Sequence, residues 1–252
     1  MNRPLLNHPG MVAVVSFLVM YGAAHLGARV SQLRRLASKE LEQFNIVLGA
    51  TLTLLGLIVG FAFSMAVGRY DQRKNYEEEE ANAIGTEYVR AQLLPAPDAD
   101  KTQGLLKQYL RLRILFYEVQ DWDSLEKINN DTAQLQSEMW SVVATAAKAQ
   151  PTPVSALAVA GMNDVLNRQG YTQAAWWNHI PKAAWVLMGA IAVCCNLLIG
   201  MPAGEVKTRI PLLVLPVVLA IAFMLLADLD SPRGGIIRVA PQNLHSLLTS
   251  MQ

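Results

Sequence analysis

Residues 46–67 read IVLGATLTLLGLIVGFAFSMAV, an apolar stretch without a charged side chain. About twenty such residues form a helix long enough to cross the hydrocarbon core of a bilayer. The polar residues that follow, from Arg69 onwards, contain no proline and no turn signal before Leu93-Leu94-Pro95. We therefore predict one continuous helix that crosses the membrane and then continues into water.

The composition of the whole chain also indicates a membrane protein. Hydrophobic residues make up 52% of its 252 residues and charged residues only 16%, and the mean hydropathy is +0.25. A chain with these values is too apolar and too poorly charged for an ordinary soluble domain of this length. The net charge of +1 provides no field that would attract nucleic acid. We expect the lipid bilayer as a partner and no nucleic acid.

Three further apolar stretches have the length of membrane spans: residues 11–28, 183–201 and 210–227. The first could instead be a cleaved signal peptide, because Arg3 precedes it and Gly22-Ala23-Ala24 is a passable cleavage site. Its apolar run is longer than that of a usual signal peptide, which favours the span.

The chain between residues 98 and 171 is polar enough to lie outside the membrane, and its apolar residues repeat at helical spacing. We therefore predict an all-α membrane protein with four transmembrane helices and a helical soluble insert between the second and third. The first two spans occupy residues 1–68, the insert 69–180, the last two spans 181–229 and a C-terminal tail 230–252.

The second helix carries two patterns that predict function. Gly49, Gly56 and Gly60 fall on one stripe, and the last two have the spacing that lets helices pack closely. A separate sector is apolar in the first half of the helix and acidic in the second, at about 100° per residue. This sector contains Thr53, Leu57, Phe61, Asp71, Asn75, Glu78 and Glu79.

Catalytic and metal-binding signatures are lacking in the sequence. It contains no glycine-rich phosphate loop, no paired CxxC motif and no GxSxG, and its four histidines are scattered. We expect no enzyme activity, no cofactor and no metal site. Asp228 and Asp230 are too few for a calcium site without backbone help, so we interpret them as a solvated helix end. We likewise interpret the acidic run at residues 77–80 as a solvated face.

Three segments carry a resemblance to a known family. GFAFSMAV at residues 60–67, followed by RYDQR at 69–73, resembles the pore-lining second helix of bestrophins. EANAIGT at 80–86, YVRA at 88–91, LLP at 93–95 and LDSPRGGIIRV at 229–239 resemble the bestrophin-like family of prokaryotic membrane proteins. The function of that family is largely unassigned, and it is distantly similar to the bestrophin ion channels.

The resemblance implies a ring of identical subunits, a pentamer as in bestrophins, with inorganic ions as the permeating partners. Gly60 and Phe61 match the Gly-Phe of the bestrophin pore neck, which gives Leu57 and Thr53 the other neck positions. The resemblance also places the insert and both termini in the cytoplasm, with the spans in the cell (inner) membrane. The distribution of Lys and Arg favours neither orientation.

The leading hypothesis is therefore an oligomeric ion channel lined by the second helix. The apolar neck and the acidic vestibule, formed by Asp71, Asn75, Glu78 and Glu79, favour cations. The alternative is a membrane-anchored signalling or scaffold protein that does not conduct. The tail presents Leu244, Leu247, Leu248 and Met251 on one helix side, and we expect a neighbouring subunit to bury this stripe.

Overall fold

A computed structural model describes residues 7–34, 38–203 and 211–251 of the chain. Within these ranges it is helical and contains no strand, as the sequence predicts. The helices are α1 (Pro9–Arg34), α2 (Ser38–Arg90), α3 (Ala96–Glu118), α4 (Trp122–Ala149), α5 (Pro153–Trp177), α6 (Lys182–Ala203), α7 (Pro211–Asp230) and α8 (Gln242–Ser250), with a 3₁₀ turn at Ala91–Leu93. The predicted start of the fourth span, residue 210, lies outside the described residues.

In the part of the chain that the structure describes, four segments are long and apolar enough to cross a membrane, which confirms the expected fold class. They lie within Pro9–Leu33, Glu42–Leu93, Pro153–Pro202 and Leu212–Asp230. α2 is a single helix of 53 residues. At about 1.5 Å per residue it is far longer than a bilayer is thick, so that its second half extends beyond the apolar stretch.

The chain divides into two compact units. The first comprises Met1–Arg69 and His179–Arg238, and the second Tyr70–Asn178 and Val239–Gln252. In the first unit α1 packs against α6 and α7, and α6 packs against α7. In the second, α3 packs against α4 and α8, and α4 packs against α5.

α1 and α6 pack closely at two glycines. A Cβ atom on Gly27 would overlap the backbone carbonyl of Leu197, and one on Gly200 would overlap that of Ala24. Glycine is therefore required at both positions for the two backbones to come this close. The sequence spacing that we used to predict close packing did not point to this pair, because Gly27 and Gly200 lie on different helices.

The core of the second unit is built mainly by large side chains of α3, α4 and α5. Tyr109, Phe116, Met139 and Met162 are all fully buried there. The ring centroids of Phe116 and Trp176 lie 4.9 Å apart. Such aromatic and aliphatic burial is the main source of stability for a helical unit of this size.

The C-terminal helix α8 also belongs to the second unit. Leu244 and Met251 are part of its buried core, and Leu247 and Leu248 pack against that core. The apolar stripe of the tail is thus covered by its own chain. Our prediction that a neighbouring subunit buries it is wrong, because the stripe alone does not show which surface covers it.

Candidate functional site along the second helix

α2 buries one narrow stripe along its length. In the first unit the stripe consists of apolar residues, and in the second unit mostly of charged ones. Successive members are three, four or seven residues apart, which keeps them on one face of a helix. The stripe consists of Leu55, Ala62 and Ala66 in the first unit and Arg73, Glu77, Glu80, Ile84 and Glu87 in the second, and Ala81, which is also buried, lies beside it.

The residues that the sequence predicts to face an ion pathway lie on the opposite side of α2. At about 100° per residue their sector is centred roughly 180° from the buried stripe. Phe61 is 62% exposed and Leu57 55% exposed within the chain. Thr53, Asp71, Asn75 and Glu78 are exposed as well, and Glu79 is half-buried.

Thr53 is the one hydroxyl among the three predicted neck residues. Its Oγ1 donates a hydrogen bond to the carbonyl oxygen of Gly49 at 2.9 Å. Because the backbone of its own helix accepts this bond, the hydroxyl needs no other partner. Thr53 can therefore lie in apolar surroundings like its neighbours Leu57 and Phe61.

Among the described residues, no other helix comes close to the Cβ positions of Gly49, Gly56 and Gly60. A Cβ atom built on any of the three would have no atom of the described chain within 4 Å. Their predicted role in close helix packing therefore stays a prediction.

Two of the three basic residues nearest to the acidic sector, Arg69 and Arg73, point away from it, whereas the third, Lys74, is exposed. In the first unit, Arg69 pairs with Asp230, with Nη1 and Oδ1 3.4 Å apart. In the second unit, Arg73 is only 1% exposed. It donates to the carbonyl oxygens of Ala175 and Asn178, at 3.3 and 3.2 Å, at the end of α5. Neither guanidinium lies on the exposed face that carries Asp71 and Glu78.

Glu79 differs from the other acidic residues of the sector because a base neutralises it. Arg168 of α5 donates to its carboxylate, with Nη1 and Oε2 2.5 Å apart. Both side chains are about 40% exposed, and an exposed pair of this kind contributes little stability. The pairing does cancel the charge of Glu79, which leaves Asp71 and Glu78 as the exposed acidic residues of the predicted vestibule.

Only half of the acidic run at residues 77–80 is the solvated face that we expected, because Glu77 and Glu80 are buried. Glu77 is buried and accepts hydrogen bonds from the side chain of Asn243, at 2.6 Å, and the backbone amide of Leu244, at 3.0 Å. Both donors lie in the first turn of α8, where free amides favour a carboxylate. Glu77 therefore holds the C-terminal helix in place.

Glu80 is the centre of a buried polar cluster. Its carboxylate accepts from Nε of Arg113 at 2.5 Å and from the hydroxyls of Thr172 and Tyr117 at 3.2 and 3.4 Å. Burial raises the pKa of Tyr117 far above its ordinary value, with the charge of Glu80 acting in the same direction. The phenol therefore stays protonated and can donate. These contacts tie α2 to both α3 and α5.

Asp228 and Asp230, at the end of α7, are also buried and not solvated. Asp228 accepts from the backbone amides of Ile236 and Ile237 at 2.6 and 2.9 Å. Asp230 accepts from the amide of Ile180 at 2.7 Å. The two carboxylates thus stabilise the turn after α7 and the entry to α6. In the described ranges no group of three or more His, Cys, Asp or Glu residues could hold a metal ion.

Comparison with known proteins identifies the family. The sequence profile of the bestrophin-like domain matches residues 13–244, which is most of the chain. The protein belongs to the bestrophin-like family. A comparison with curated proteins finds no sequence match.

Solved bestrophin structures share the fold of this bestrophin-like protein. A single-site variant of the bestrophin homologue from Klebsiella pneumoniae superposes with a TM-score of 0.64 at 13% identity, over 95% of this chain and 93% of that one. Another structure of the Klebsiella homologue gives a TM-score of 0.63 at 13% identity, over 95% and 94% of the two chains. At this level of identity the likeness establishes the fold alone.

The structure gives physical reasons for the sequence segments that resemble the family. In LDSPRGGIIRV, Asp230 holds the entry to α6, and a Cβ atom on Gly235 would lie only 2.5 Å from Oδ1 of Asp228. In EANAIGT, Glu80 forms the buried cluster, and a Cβ atom on Gly85 would lie 2.9 Å from a methyl group of Leu247. Sequence periodicity alone did not reveal these roles.

The Glu80–Arg113 pair provides a direct test of how α2 is held. Glu80→Leu or Arg113→Met alone leaves one buried charge without its partner, which costs about 3–5 kcal/mol in comparable buried pairs. We expect each single variant to unfold at a temperature well below that of the wild type. The double variant should lose much less stability than the two single variants lose together. The measurement is thermal unfolding of purified protein in detergent, and additive losses would contradict the contact.

Proposed function

We propose that this protein is an ion channel in which α2 helices from several copies surround a common axis. The observation that carries the proposal is the exposed sector of α2, which is apolar around Phe61 and acidic around Glu78. Membership of the bestrophin-like family supports it, as does the fold shared with a bestrophin homologue. The resemblance to bestrophins gives five copies, with the second unit and both termini on the cytoplasmic side.

The proposed neck consists of Thr53, Leu57 and Phe61. Repeated around an axis, Leu57 and Phe61 form apolar rings that can exclude water and so close the pathway without a moving lid. The internal hydrogen bond of the Thr53 hydroxyl to Gly49 makes the third ring less polar than its residue type implies. Gly49, Gly56 and Gly60 have open space beside them, which leaves room for a neighbouring α2 to approach.

The proposed vestibule follows the neck along the same side of α2. Asp71 and Glu78 are exposed, and symmetry multiplies each carboxylate into a ring. Acidic rings raise the local concentration of cations and repel anions. Arg69 and Arg73 make contacts elsewhere and do not cancel this charge. Lys74 is exposed near both carboxylates and offsets one of the two charges in each copy. We therefore propose a preference for cations.

A substitution in the neck separates a channel from a non-conducting scaffold. Phe61→Ala removes an aromatic ring from the proposed constriction, so we expect unitary conductance or open probability to rise at least about twofold in planar bilayers. Phe63→Ala is the matched control, since Phe63 is exposed on a different face of the same helix. Equal effects of both substitutions would contradict the neck, and an absence of current in every form would favour the scaffold.

A substitution in the vestibule tests ion preference. In asymmetric salt the reversal potential of the wild type lies towards the equilibrium value of the cation. The double variant Asp71→Asn/Glu78→Gln moves it towards that of the anion, because the unneutralised carboxylates are gone. Glu126→Gln/Asp131→Asn, on exposed positions of α4, removes the same charge as a control. A wild-type reversal potential at the chloride value would refute cation preference.

A further inference from the structure

Glu87, in the last turn of α2, is a buried carboxyl group that the proposed pathway does not use. Its exposed fraction is 0%, and neither carboxylate oxygen has a hydrogen-bond partner among the described residues. Since its own chain encloses it completely, a neighbouring subunit cannot supply the missing partner. Buried carboxylates are almost always paired or protonated. Glu87 therefore requires a specific explanation.

The carboxyl group of Glu87 lies directly against the backbone of α5. A Cβ atom on Gly161 would overlap Oε2 of Glu87 and would come within 2.9 Å of Nη1 of Arg90. The glycine thus lets the two helices approach until only the carboxyl group separates them. This space accommodates a neutral carboxylic acid but leaves no room for the water that an ionised one needs.

A polar cavity of about 350 Å³ adjoins this contact. Gly161 and Arg90 line it, together with Thr86 and Asp164 and with the paired residues Glu79 and Arg168. If the carboxyl group ionises and turns towards this cavity, water can reach it. The cavity is therefore the place where an ionised Glu87 can be solvated.

We propose that Glu87 is a proton-binding site whose ionisation loosens the contact between α2 and α5. In the neutral form α5 lies tightly on α2 and Arg168 cancels the charge of Glu79. In the ionised form the helices separate at Gly161, Arg168 leaves Glu79, and the vestibule gains a carboxylate. The conductance part of this proposal rests on the channel function proposed above, whereas the proton site does not.

The electrostatic surroundings put the transition near physiological pH. Burial raises the pKa of Glu87 from 4.5 to about 8; Arg90 lowers it, and Asp164 of α5 raises it. The 3₁₀ turn Ala91–Leu93, which packs on α5, adds no titratable group. Glu87 lies about 30 Å along the helix from the end of the apolar stretch. At this distance from the apolar stretch, its proton can exchange with water.

The sign of the linkage follows from the raised pKa. The unfolded chain releases this proton near pH 4.5 and the folded chain only near pH 8. The contribution of Glu87 to stability is therefore complete below pH 4.5, falls as the pH rises, and is lost above about pH 8. Conductance, in contrast, should rise through pH 8 as the ionised form accumulates.

The experiment compares the wild type with Glu87→Gln, which keeps the shape of the neutral form and cannot ionise. In detergent, the wild type should lose thermal stability between pH 5 and pH 8 relative to the variant. In planar bilayers, wild-type cation conductance should rise at least about twofold between pH 7 and pH 9, and that of the variant should stay constant. Parallel stability curves of the two proteins would overturn the proton site, whether or not the protein conducts.

Two further variants keep the test decisive if Glu87→Gln does not fold. Asp164→Asn removes an effect that raises the pKa of Glu87, so the midpoint of both pH profiles should move to lower pH. Arg90→Gln removes the opposing effect and should move it to higher pH. Midpoints that do not move would overturn the assignment to Glu87. If stability depends on pH as expected but conductance does not, the proton site stands and its control of conductance is overturned. The complete absence of current would refute the channel proposal alone.

Discussion

The buried contact between Glu80 and Arg113 is the interaction that fixes α2 to the rest of the second unit. Beyond its apolar stretch, α2 has few apolar residues on its inner face with which to hold a helical unit. Glu80 replaces them by binding Arg113 of α3 and Thr172 of α5 at once. A charge in a dry interior is tolerable only when it is paired and hydrogen-bonded in this way. The long helix is thereby fixed by polar contacts where hydrophobic ones are scarce.

Similar contacts elsewhere on the inner face explain the charge of the outer face. In the second unit, Arg73 binds the end of α5 and Glu77 the start of α8, and in the first unit Arg69 binds Asp230. Two of the bases and two of the acids in this part of α2 therefore serve the fold. The exposed side keeps Asp71 and Glu78, with Lys74 as the exposed base near them. An acidic surface thus arises on α2 even though the whole chain is almost neutral.

Much of the fold could be predicted from the sequence, because membrane spans and amphipathic helices have strong periodic signals. The length of α2 followed from the absence of a helix break between Ile46 and Leu93. Periodicity placed Thr53, Leu57 and Phe61 in one sector of α2, and all three are exposed within the chain, while their role in a pore neck stays a prediction. What these residues face in an assembly is a property of several copies, and the sequence of one chain does not contain it.

The buried carboxylates could not be recognised from the sequence. Glu77 and Glu78 are adjacent and chemically identical, yet one holds α8 and the other is exposed. Only the position of distant partners such as Leu244 separates them. The prediction that a neighbouring subunit buries the apolar stripe of α8 was wrong for the same reason. The pattern of an amphipathic helix shows that it needs a covering surface but does not show which surface covers it. The role of Gly161 likewise depends on its contact with Glu87, which lies 74 positions earlier in the chain.

The central claim is that the exposed face of α2 surrounds an axis. An electron cryo-microscopy map of the purified assembly, at a resolution that shows side chains, tests it most directly. The account predicts a ring of copies with Leu57 and Phe61 of every copy facing the symmetry axis and Glu78 facing the same axis beyond them. A map in which Leu57 and Phe61 face lipid, or a core between subunits away from any axis, would contradict it.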